Sequence, residues 1–496
     1  GGGHGSPAVA DAGQLGRSGA MGIFGKVDFI GDDGNEIVAK QVACGRYHTV
    51  VLTNDGSVYT FGLNDYGQLG RLALFGDPDV KKTCGCDSGN NCACSEGSED
   101  ETVKKKGDAC FGGWACRDGT AKKVNLDTHS VTTNTKRHAT FVAAGRYTTV
   151  IVDNFGDVLV WGLNLCGAGL DGSSDDLKTE QDVRRLTQRL RGDLELAATP
   201  RVVLGLDGKG FFSNGRDDGP GIDPEKSLEV TRAEVVAVGY VHLVVLTKNG
   251  TVFTCDTGFD GYAGGLSVGG KGYVMNQSKQ MGRNVKSVAE ALTPGEVLFP
   301  NGGTKIVAID AGRCHAVVAD ETGRVFSFGC GALGGDSGEF GLPKEIDFRK
   351  VLRVETADSR VDEESGQSSA SGTSTSKSSE TKGKKPEGGE TKARDEVRHK
   401  EDDNAPHFVV DVAAGEYFSL VTTLDGKVFG LGDGNSGQLG VSSEALKSAR
   451  EKNRVDEQAP VEIPTNLGRK GATVGQVLTP IAGYQHAAAI VERKEA

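Results

Sequence analysis

Short apolar runs alternate with polar turns along much of the chain, and the runs come in pairs. Thr49–Leu52 and Val58–Phe61, for example, flank the turn Asn54-Asp55-Gly56. A tight turn of this composition between two short apolar runs is typical of a β-hairpin. Similar turns recur at Asn154-Phe155-Gly156, Lys248-Asn249-Gly250, Glu321-Thr322-Gly323 and Leu424-Asp425-Gly426. The pattern therefore predicts a protein built from repeated hairpins.

Each hairpin lies inside a longer repeated phrase. In four copies a first glycine precedes a second by 17 residues: Gly45 and Gly62, Gly145 and Gly162, Gly312 and Gly329, and Gly415 and Gly432. A fifth copy has Gly239 but places Asp256 at the second mark. Ile481–Glu492 carries only the first half of a copy, and Ala12–Arg17 only the closing half. Internal similarity of this kind indicates a repeat architecture.

Further predicted strands begin at proline, in Pro200–Leu204, Pro343–Ile346 and Pro460–Ile463. Proline at the start of a strand suits the outer edge of a sheet, because its nitrogen cannot donate a ladder hydrogen bond. About four short strands in each unit, repeated around an axis, are typical of a propeller blade. We therefore expect an all-β fold, a β-propeller with long loop insertions.

The repeated phrase resembles the repeats of the regulator of chromosome condensation family, whose units carry AAG-x-x-H, a hairpin, (W/F)-G and a closing GQLG. The first unit matches this pattern at Ala43-Cys44-Gly45, His48, Phe61-Gly62 and Gly67–Gly70. The resemblance implies a propeller, seven-bladed in this family, that serves as a protein-interaction module. It also implies regulation of a small GTPase by guanine-nucleotide exchange. The alternatives are the regulatory propeller of a HECT-type ubiquitin ligase and a structural subunit of a larger assembly.

We interpret residues 1–496 as one propeller, a fragment with five whole units and two half units. The whole units are 17–70, 71–170, 171–266, 267–342 and 343–440, while 1–16 is the tail of a unit and 441–496 an incomplete one. Since the chain starts at Gly1 rather than at Met, we expect its natural N-terminus and any targeting signal to precede it. A cytoplasmic or nuclear location is the working expectation.

The distance between units varies, which predicts loop insertions at about 76–138, 171–197, 267–300 and 355–404. Loops on a rigid scaffold are where function tends to lie. The fourth insertion is rich in Ser, Thr, Lys, Glu and Gly. We expect it to be disordered, because such a segment cannot bury enough apolar surface to outweigh its ordering entropy.

The first insertion holds six of the eleven cysteines: Cys84, Cys86, Cys92, Cys94, Cys110 and Cys116. Two Cys-x-Cys pairs could supply four thiolates to zinc, which is the one cofactor that the sequence suggests. The spacing differs from the Cys-x₂-Cys of familiar zinc sites, so zinc, disulfides and free thiols all stay open. The remaining cysteines, such as Cys44 and Cys314, are interpreted as small buried apolar residues of strands.

A helix is predicted in the second insertion, from Asp175 to about Arg191. Val183, Leu186 and Leu190 recur there at spacings of three and four, which is the period of one helix face. We expect this apolar stripe to pack on the rim of the propeller, in preference to binding a partner.

The third insertion contains Gly265–Gly272, which imitates a phosphate-binding loop. Gly272 stands where such a loop has the Ser or Thr that binds magnesium. The segment also follows a hairpin instead of a parallel strand that leads into a helix. We therefore exclude a nucleotide site here.

Histidine recurs at one repeat position, in His48, His242, His315 and His486. A catalytic residue is needed once, whereas a residue repeated from unit to unit points to structure. We interpret these histidines as hydrogen-bonding buttresses inside blades. No Ser/His/Asp, carboxylate-pair or metal-plus-base arrangement stands out elsewhere, so the sequence offers no catalytic residue.

The residue after the first glycine is arginine in three units, Arg46, Arg146 and Arg313. Rotational repetition would place these side chains on one face. They could form a basic patch for an acidic protein surface or for phosphates, and salt bridges to neighbouring blades are the alternative. Tyr240, Glu416 and Tyr484 take this position in the other units.

Composition and charge narrow the class of partner. The net charge of −12 disfavours indiscriminate nucleic-acid binding, so chromatin is not indicated as a partner. No stretch approaches the ~20 apolar residues of a membrane span. The 74 glycines fit a fold with many tight turns. A protein partner, with a small GTPase as one example, is the expectation.

Overall fold

The computed structural model describes residues 36, 38–64, 66–71, 117–126, 136–167, 182, 185–186, 190, 194–203, 232–258, 279–300, 305–330, 341–348, 351–353, 408–453, 460–463, 474–482 and 487–493. Several predictions concern segments outside these ranges and are not tested by them. They are the half unit Ala12–Arg17, the six cysteines of the first insertion, the loop Gly265–Gly272, the insertion 355–404, and His486.

Five sheets follow one another along the chain, and in each of them four antiparallel strands are paired in chain order. Sheet 1 comprises β1 (Ala39–Cys44), β2 (His48–Thr53), β3 (Val58–Leu63) and β4 (Arg117–Lys123). Sheet 2 comprises β5 (Ala139–Ala144), β6 (Thr148–Asp153), β7 (Val158–Gly162) and, after helix α1 (Leu194–Ala198), β8 (Arg201–Val202). Sheet 3 comprises β9 (Ala233–Val238), β10 (His242–Thr247), β11 (Val252–Asp256) and, after helix α2 (Val288–Leu292), β12 (Gly295–Glu296).

Sheet 4 comprises β13 (Ile306–Ala311), β14 (His315–Asp320), β15 (Val325–Gly329) and β16 (Lys344–Glu345). β17 (Leu352–Arg353) precedes sheet 5, which comprises β18 (Val409–Ala414), β19 (Phe418–Thr423), β20 (Val428–Gly432) and, after helix α3 (Ser443–Asn453), β21 (Val461–Ile463). β17 runs parallel to β21 and adds a fifth strand to this sheet. A last hairpin pairs β22 (Val474–Ala482) with β23 (Ala487–Arg493). The expected all-β propeller with loop insertions is confirmed, and the sequence did not predict helix α3.

The core lies in layers between successive sheets. The second strands β2, β6, β10, β14 and β19 are buried along their whole length. Their runs, such as Leu243–Leu246 of β10, are continuously apolar because neighbouring sheets cover both faces. The first strand of each sheet contacts the first strand of the next, from β1 through β5, β9, β13 and β18 to β22. First strands therefore lie innermost, around a common axis.

The face of β1 that points away from sheet 2 is open among the described residues. Val42 is 54% exposed, whereas its equivalents Val142, Val236 and Val412 are 1%, 2% and 6% exposed. In sheets 2 to 5 this position is covered by the preceding sheet. Each unit thus carries an apolar residue at this position, which a preceding unit can cover.

The closing turn of the third unit lies later in the chain than the sequence interpretation placed it. Met281 accepts a hydrogen bond at its carbonyl from Thr254, as Leu69 does from Thr60. Lys279-Gln280-Met281-Gly282-Arg283 is thus the counterpart of the closing GQLGR, and the boundary drawn at Leu266 falls before it. The signal was hidden because Lys279, with φ of 58°, takes the left-handed position that glycine holds in unit 1.

His48 and His315 link neighbouring sheets instead of bracing single blades. The Nε2 atom of His48 lies 3.0 Å from Oγ1 of Thr149 on the next sheet, and that of His315 lies 3.1 Å from Oγ of Ser419. The Thr149 hydroxyl donates to the carbonyl of Gln68, so it accepts from His48. Burial lowers the pKa of both imidazoles to about 4, which keeps them neutral at physiological pH.

His242 has the same burial without the hydroxyl, since Ala316 stands where the other junctions have Thr149 and Ser419. Neither ring nitrogen of His242 has a side-chain hydrogen-bond partner among the described residues. Ala316→Ser should supply one and raise the free energy of unfolding by about 1 kcal/mol in urea denaturation. The same substitution in a His242→Phe background should give no gain. Equal effects in the two backgrounds would contradict this account of the junction.

Candidate functional site

Five three-residue turns join the first strand of each sheet to the second, and they lie at one end of the propeller. In unit 1 the amide of Gly45 donates to the carbonyl of His48, and the first glycines of the other four units make the same bond. The two residues that follow each of these glycines therefore lie together at this end, where Cys314 and Glu416 are buried. They form what we name the arginine–tyrosine face, comprising Arg46, Tyr47, Arg146, Tyr147, Tyr240, Val241, Arg313, Cys314, Glu416 and Tyr417.

Aromatic rings hold the cations of units 1 and 2. The guanidinium carbon of Arg46 lies 4.9 Å from the ring centre of Tyr47. That of Arg146 lies 5.3 Å from the ring of Tyr147 and 5.7 Å from the ring of Tyr240, which belongs to the next unit. Such contacts fix the orientation of the guanidinium and are worth about 0.5–2 kcal/mol. The rings thus present the two cations in defined positions.

A carboxylate joins the rings around the third arginine. Nη1 of Arg313 lies 2.6 Å from Oε1 of Glu416, with the two side chains 16% and 3% exposed. The same guanidinium lies 5.0 Å from the ring of Tyr417 and 6.0 Å from that of Tyr240. The turns themselves are tied together, because Tyr240 N donates to Arg313 O and Arg313 N to Glu416 O.

The three predicted arginines do lie on one face, yet they are not equivalent. Arg313 forms the salt bridge to a neighbouring unit that the sequence offered as the alternative. Arg46 is exposed and Arg146 is partly buried beside its rings. Positive charge is therefore concentrated over units 1 and 2, while Glu416 neutralises it over units 4 and 5.

Sequence reasoning found the arginines but missed the tyrosines. Tyr47, Tyr147 and Tyr417 follow the same repeat position in three units, and this recurrence was the available signal. The recurrence indicated a shared site only once the structure placed the five turns around one axis. Tyr147 also lies against Tyr66 of the first closing turn, with ring centres 4.7 Å apart.

The described part of the predicted helix, residues 182, 185–186 and 190, flanks this face. Leu190 is buried and Leu186 partly buried in a cluster with Leu163 and Leu165, against which Tyr66 and Tyr147 also pack. The expectation that the stripe packs on the propeller is confirmed for these two leucines. Arg185 lies on the other side of the helix, 78% exposed, with Nη1 3.5 Å from Oδ1 of Asp182.

The cysteines of the strands differ from the interpretation as simple buried residues. Cys166 and Cys255 form a disulfide between sheets 2 and 3, with Cα atoms 5.5 Å apart, and Cys314 bonds to Cys330 within sheet 4. Cys44 is a free, exposed thiol. Sequence alone could not pair these residues, because one pair depends on the register of the β14–β15 hairpin and the other on how sheets 2 and 3 stack. Zinc in the first insertion stays a prediction, and the described residues contain no cluster of three or more metal-binding side chains.

No helix in the described ranges is long and apolar enough to cross a membrane.

Comparison with known proteins places the repeats in context. The model of the "Regulator of chromosome condensation (RCC1) repeat" matches residues 39–68 and 409–438, and a second model of the same description matches residues 55–85. The crystal structure of human WBSCR16 superposes with a TM-score of 0.51 at 15% identity, covering 94% of this chain and 75% of that one. This likeness shows a shared fold.

Two curated relatives are similar over about three fifths of this chain. The probable E3 ubiquitin-protein ligase HERC4 of Homo sapiens is 29% identical over 316 residues, which are 60% of this chain and 27% of that protein. The X-linked retinitis pigmentosa GTPase regulator homolog of Caenorhabditis elegans is 23% identical over 345 residues, 61% of this chain and 21% of that protein. The chain thus spans about a quarter of the length of these relatives.

Proposed function

The chain belongs to the family of proteins built from regulator of chromosome condensation repeats, and on that basis we propose that it is a regulatory propeller that binds a partner protein through its arginine–tyrosine face. The observation that carries this proposal is the convergence of Arg46 and Arg146 with three tyrosine rings at one end of the axis. Arginine and tyrosine are the side chains most enriched among residues that dominate binding energy.

Charge indicates which kind of surface fits. The chain carries a net charge of −12, so the cations over units 1 and 2 are a local exception. A basic patch on an acidic protein favours a complementary acidic segment and disfavours other surfaces by repulsion. The partner that we infer is therefore a protein with an acidic segment exposed for docking.

Among proteins with an exposed acidic segment, a small GTPase is the partner class that we propose. Support comes from the similarity to a protein that is named a GTPase regulator homolog. Guanine-nucleotide exchange needs no covalent chemistry from the protein that promotes it, since it requires only a partner surface that weakens nucleotide binding. Guanine-nucleotide exchange is thus the activity to be assayed.

The test compares the chain with Arg46→Ala/Arg146→Ala against a panel of GDP-loaded small GTPases by isothermal titration calorimetry. Removing both cations should weaken binding by about 10- to 100-fold. The matched control is Lys123→Ala/Arg185→Ala, which also removes two positive charges from exposed positions but off this face. Equal affinity of the two double variants would contradict the proposed face.

GDP release from the same GTPases separates binding from exchange. Faster release with the wild-type chain, lost in Arg46→Ala/Arg146→Ala, supports exchange activity. Binding with an unchanged release rate removes exchange and leaves a binding module. If no GTPase of the panel binds, the GTPase part of the proposal is wrong.

A second candidate function rests on the similarity to a probable ubiquitin ligase. The propeller would then recruit a substrate with an acidic segment to a catalytic domain elsewhere in a longer protein. Ubiquitin transfer by the full-length protein, with and without Arg46→Ala/Arg146→Ala, tests this candidate. Loss of transfer to the bound substrate, with unchanged self-modification, would support recruitment, whereas unchanged transfer to the substrate would contradict it.

A further inference from the structure

The disulfide between Cys314 and Cys330 lies at the arginine–tyrosine face, directly after Arg313 in the turn of unit 4. We propose that this pair is a redox site, which restrains the turn as a disulfide and releases it as two thiols. The substrate class of the site is a dithiol, which reduces the bond by thiol–disulfide exchange. Such a site acts in the same way whichever partner the face binds.

The hairpin of unit 4 does not need a covalent link to form. In every unit the backbone amide at the position of Cys330 donates to the backbone carbonyl at the position of Cys314, over 2.8 to 3.1 Å. The other four units make this bond with no cysteine at either position, in the pairs Leu63 and Tyr47, Leu163 and Tyr147, Thr257 and Val241, and Asp433 and Tyr417. The strands of unit 4 should therefore stay paired when the disulfide is reduced, so the bond can open and close in the folded protein.

The two disulfides of the described residues differ in how far a reductant can reach their sulfur atoms. Cys166 and Cys255 are 0% and 1% exposed between sheets 2 and 3. Cys314 is 8% exposed, and Cys330 is partly exposed directly after β15. Exchange requires a thiolate to attack one of the two sulfurs, so its rate depends on access. The bond of unit 4 is therefore the one that a dithiol should reduce in the folded chain.

The exchange takes two steps, and the more exposed Cys330 offers the sulfur for the first. A thiolate of the dithiol attacks Sγ of Cys330, which forms a mixed disulfide and breaks the bond to Cys314. Cys314 leaves as a thiolate and takes a proton from water. The second thiolate of the reductant then attacks the reductant's own sulfur in the mixed disulfide and releases Cys330, which is protonated in the same way. The chain gains two electrons and two protons, and the dithiol becomes a disulfide.

Hydrogen bonds connect the turn of unit 4 to the turns on both sides. Arg313 N donates to Glu416 O of unit 5, and Tyr240 N of unit 3 donates to Arg313 O. Nη1 of Arg313 also lies 2.6 Å from Oε1 of Glu416. Because Cys314 follows Arg313 directly, a covalent tie on Cys314 restrains the residue that makes these bonds. Oxidation thus stiffens this part of the face, and reduction loosens it.

Selective reduction is the first test. The oxidised full chain is treated with dithiothreitol under native conditions, quenched with acid, denatured and trapped with N-ethylmaleimide, and mass spectrometry quantifies the label on each cysteine. We expect Cys314 and Cys330 to become labelled about tenfold faster, or more, than Cys166 and Cys255. Equal rates for the two pairs would overturn the proposal. So would a pair in unit 4 that stays oxidised until the chain unfolds.

Hydrogen exchange followed by mass spectrometry tests whether the turn is released. Peptides that contain Arg313 or Cys330 should exchange about three- to tenfold faster in the reduced chain than in the oxidised chain, because local opening no longer works against a covalent tie. The turn of unit 1 at Arg46 and Tyr47 is the internal reference and should exchange equally in both. Equal exchange of unit 4 in the two states would show that the bond restrains nothing, which would overturn the proposal.

Cys330→Ser imitates the reduced state, because it cannot form the bond. Its exchange in unit 4 should equal that of the reduced wild type and should not respond to dithiothreitol. Cys44→Ser is the matched control, since it removes a free, exposed thiol and leaves both disulfides in place. It should keep the full response of the wild type, and a response of Cys330→Ser as large as that of Cys44→Ser would contradict the proposal. If circular dichroism shows that Cys330→Ser does not fold, the comparison of oxidised with reduced wild type still decides.

Discussion

Trp161→Ala is expected to lower the free energy of unfolding by about 3–5 kcal/mol. Trp161 is fully buried on β7, in the layer between sheets 1 and 2, beside Leu52, Val58 and Val124. Its indole nitrogen also donates to the carbonyl of Gln68, 3.0 Å away in the closing turn of unit 1. The substitution removes a large apolar surface and one hydrogen bond from the same junction. Urea denaturation followed by far-ultraviolet circular dichroism measures the loss.

Trp161→Phe is the control for this prediction. It keeps an aromatic ring in the layer and removes the indole donor, while the Gln68 carbonyl retains its bond from Thr149 at 2.7 Å. The acceptor is therefore not left unsatisfied, and the expected loss is about 1–2 kcal/mol. A Trp161→Ala chain as stable as the Trp161→Phe chain would mean that packing at this junction contributes little.

Gly312→Ala is expected to cost about 2–3 kcal/mol although alanine adds only one methyl group. A Cβ atom at Gly312 would collide with the backbone oxygen of Gly415 and with the imidazole of His315. The oxygen belongs to the next unit, and the imidazole is fixed by its bond to Ser419. Neither group can give way without moving sheet 5 relative to sheet 4.

Gly341→Ala provides the comparison at a glycine with room. Its nearest neighbour would be the Cδ atom of Lys279 at 3.6 Å, an ordinary contact. We expect a change within about 0.5 kcal/mol there. Thermal unfolding of the two variants side by side distinguishes a crowded axis from a general cost of added methyl groups. If both variants match the wild type, the inner strands are more tolerant than the structure indicates.

The repeat made the architecture predictable from sequence. Glycine pairs 17 residues apart and Asx-Gly turns are local signals, and each recurs several times, so one degenerate copy did little harm. The closing turn of the third unit was misplaced for the opposite reason. The closing turn of this unit has Lys279 in place of glycine and Met281 in place of leucine, so its sequence does not match the motif. A similar sequence that ends at Leu266 lies earlier in the chain and was taken for the closing turn.

The candidate site was predictable only in part. Rotational repetition placed Arg46, Arg146 and Arg313 on one face, and this much follows from period alone. That Arg313 meets Glu416 does not follow, because the two residues are 103 positions apart and their contact depends on how neighbouring turns stack around the axis. The same holds for the rings, which act on the arginine of the preceding unit as well as on their own.

The disulfide between Cys166 and Cys255 limits how far mechanical force can extend the chain. It fastens sheet 2 to sheet 3 and closes a loop with a sequence separation of 89 residues. When the oxidised chain is pulled from its ends, the residues inside that loop cannot extend. The fully stretched chain is therefore shorter by about 300 Å. The junction between these sheets is crossed by a covalent tie, and the cation of Arg146 stands across the same junction from Tyr240. If a bound partner pulls on this part of the arginine–tyrosine face, the disulfide therefore keeps sheets 2 and 3 joined.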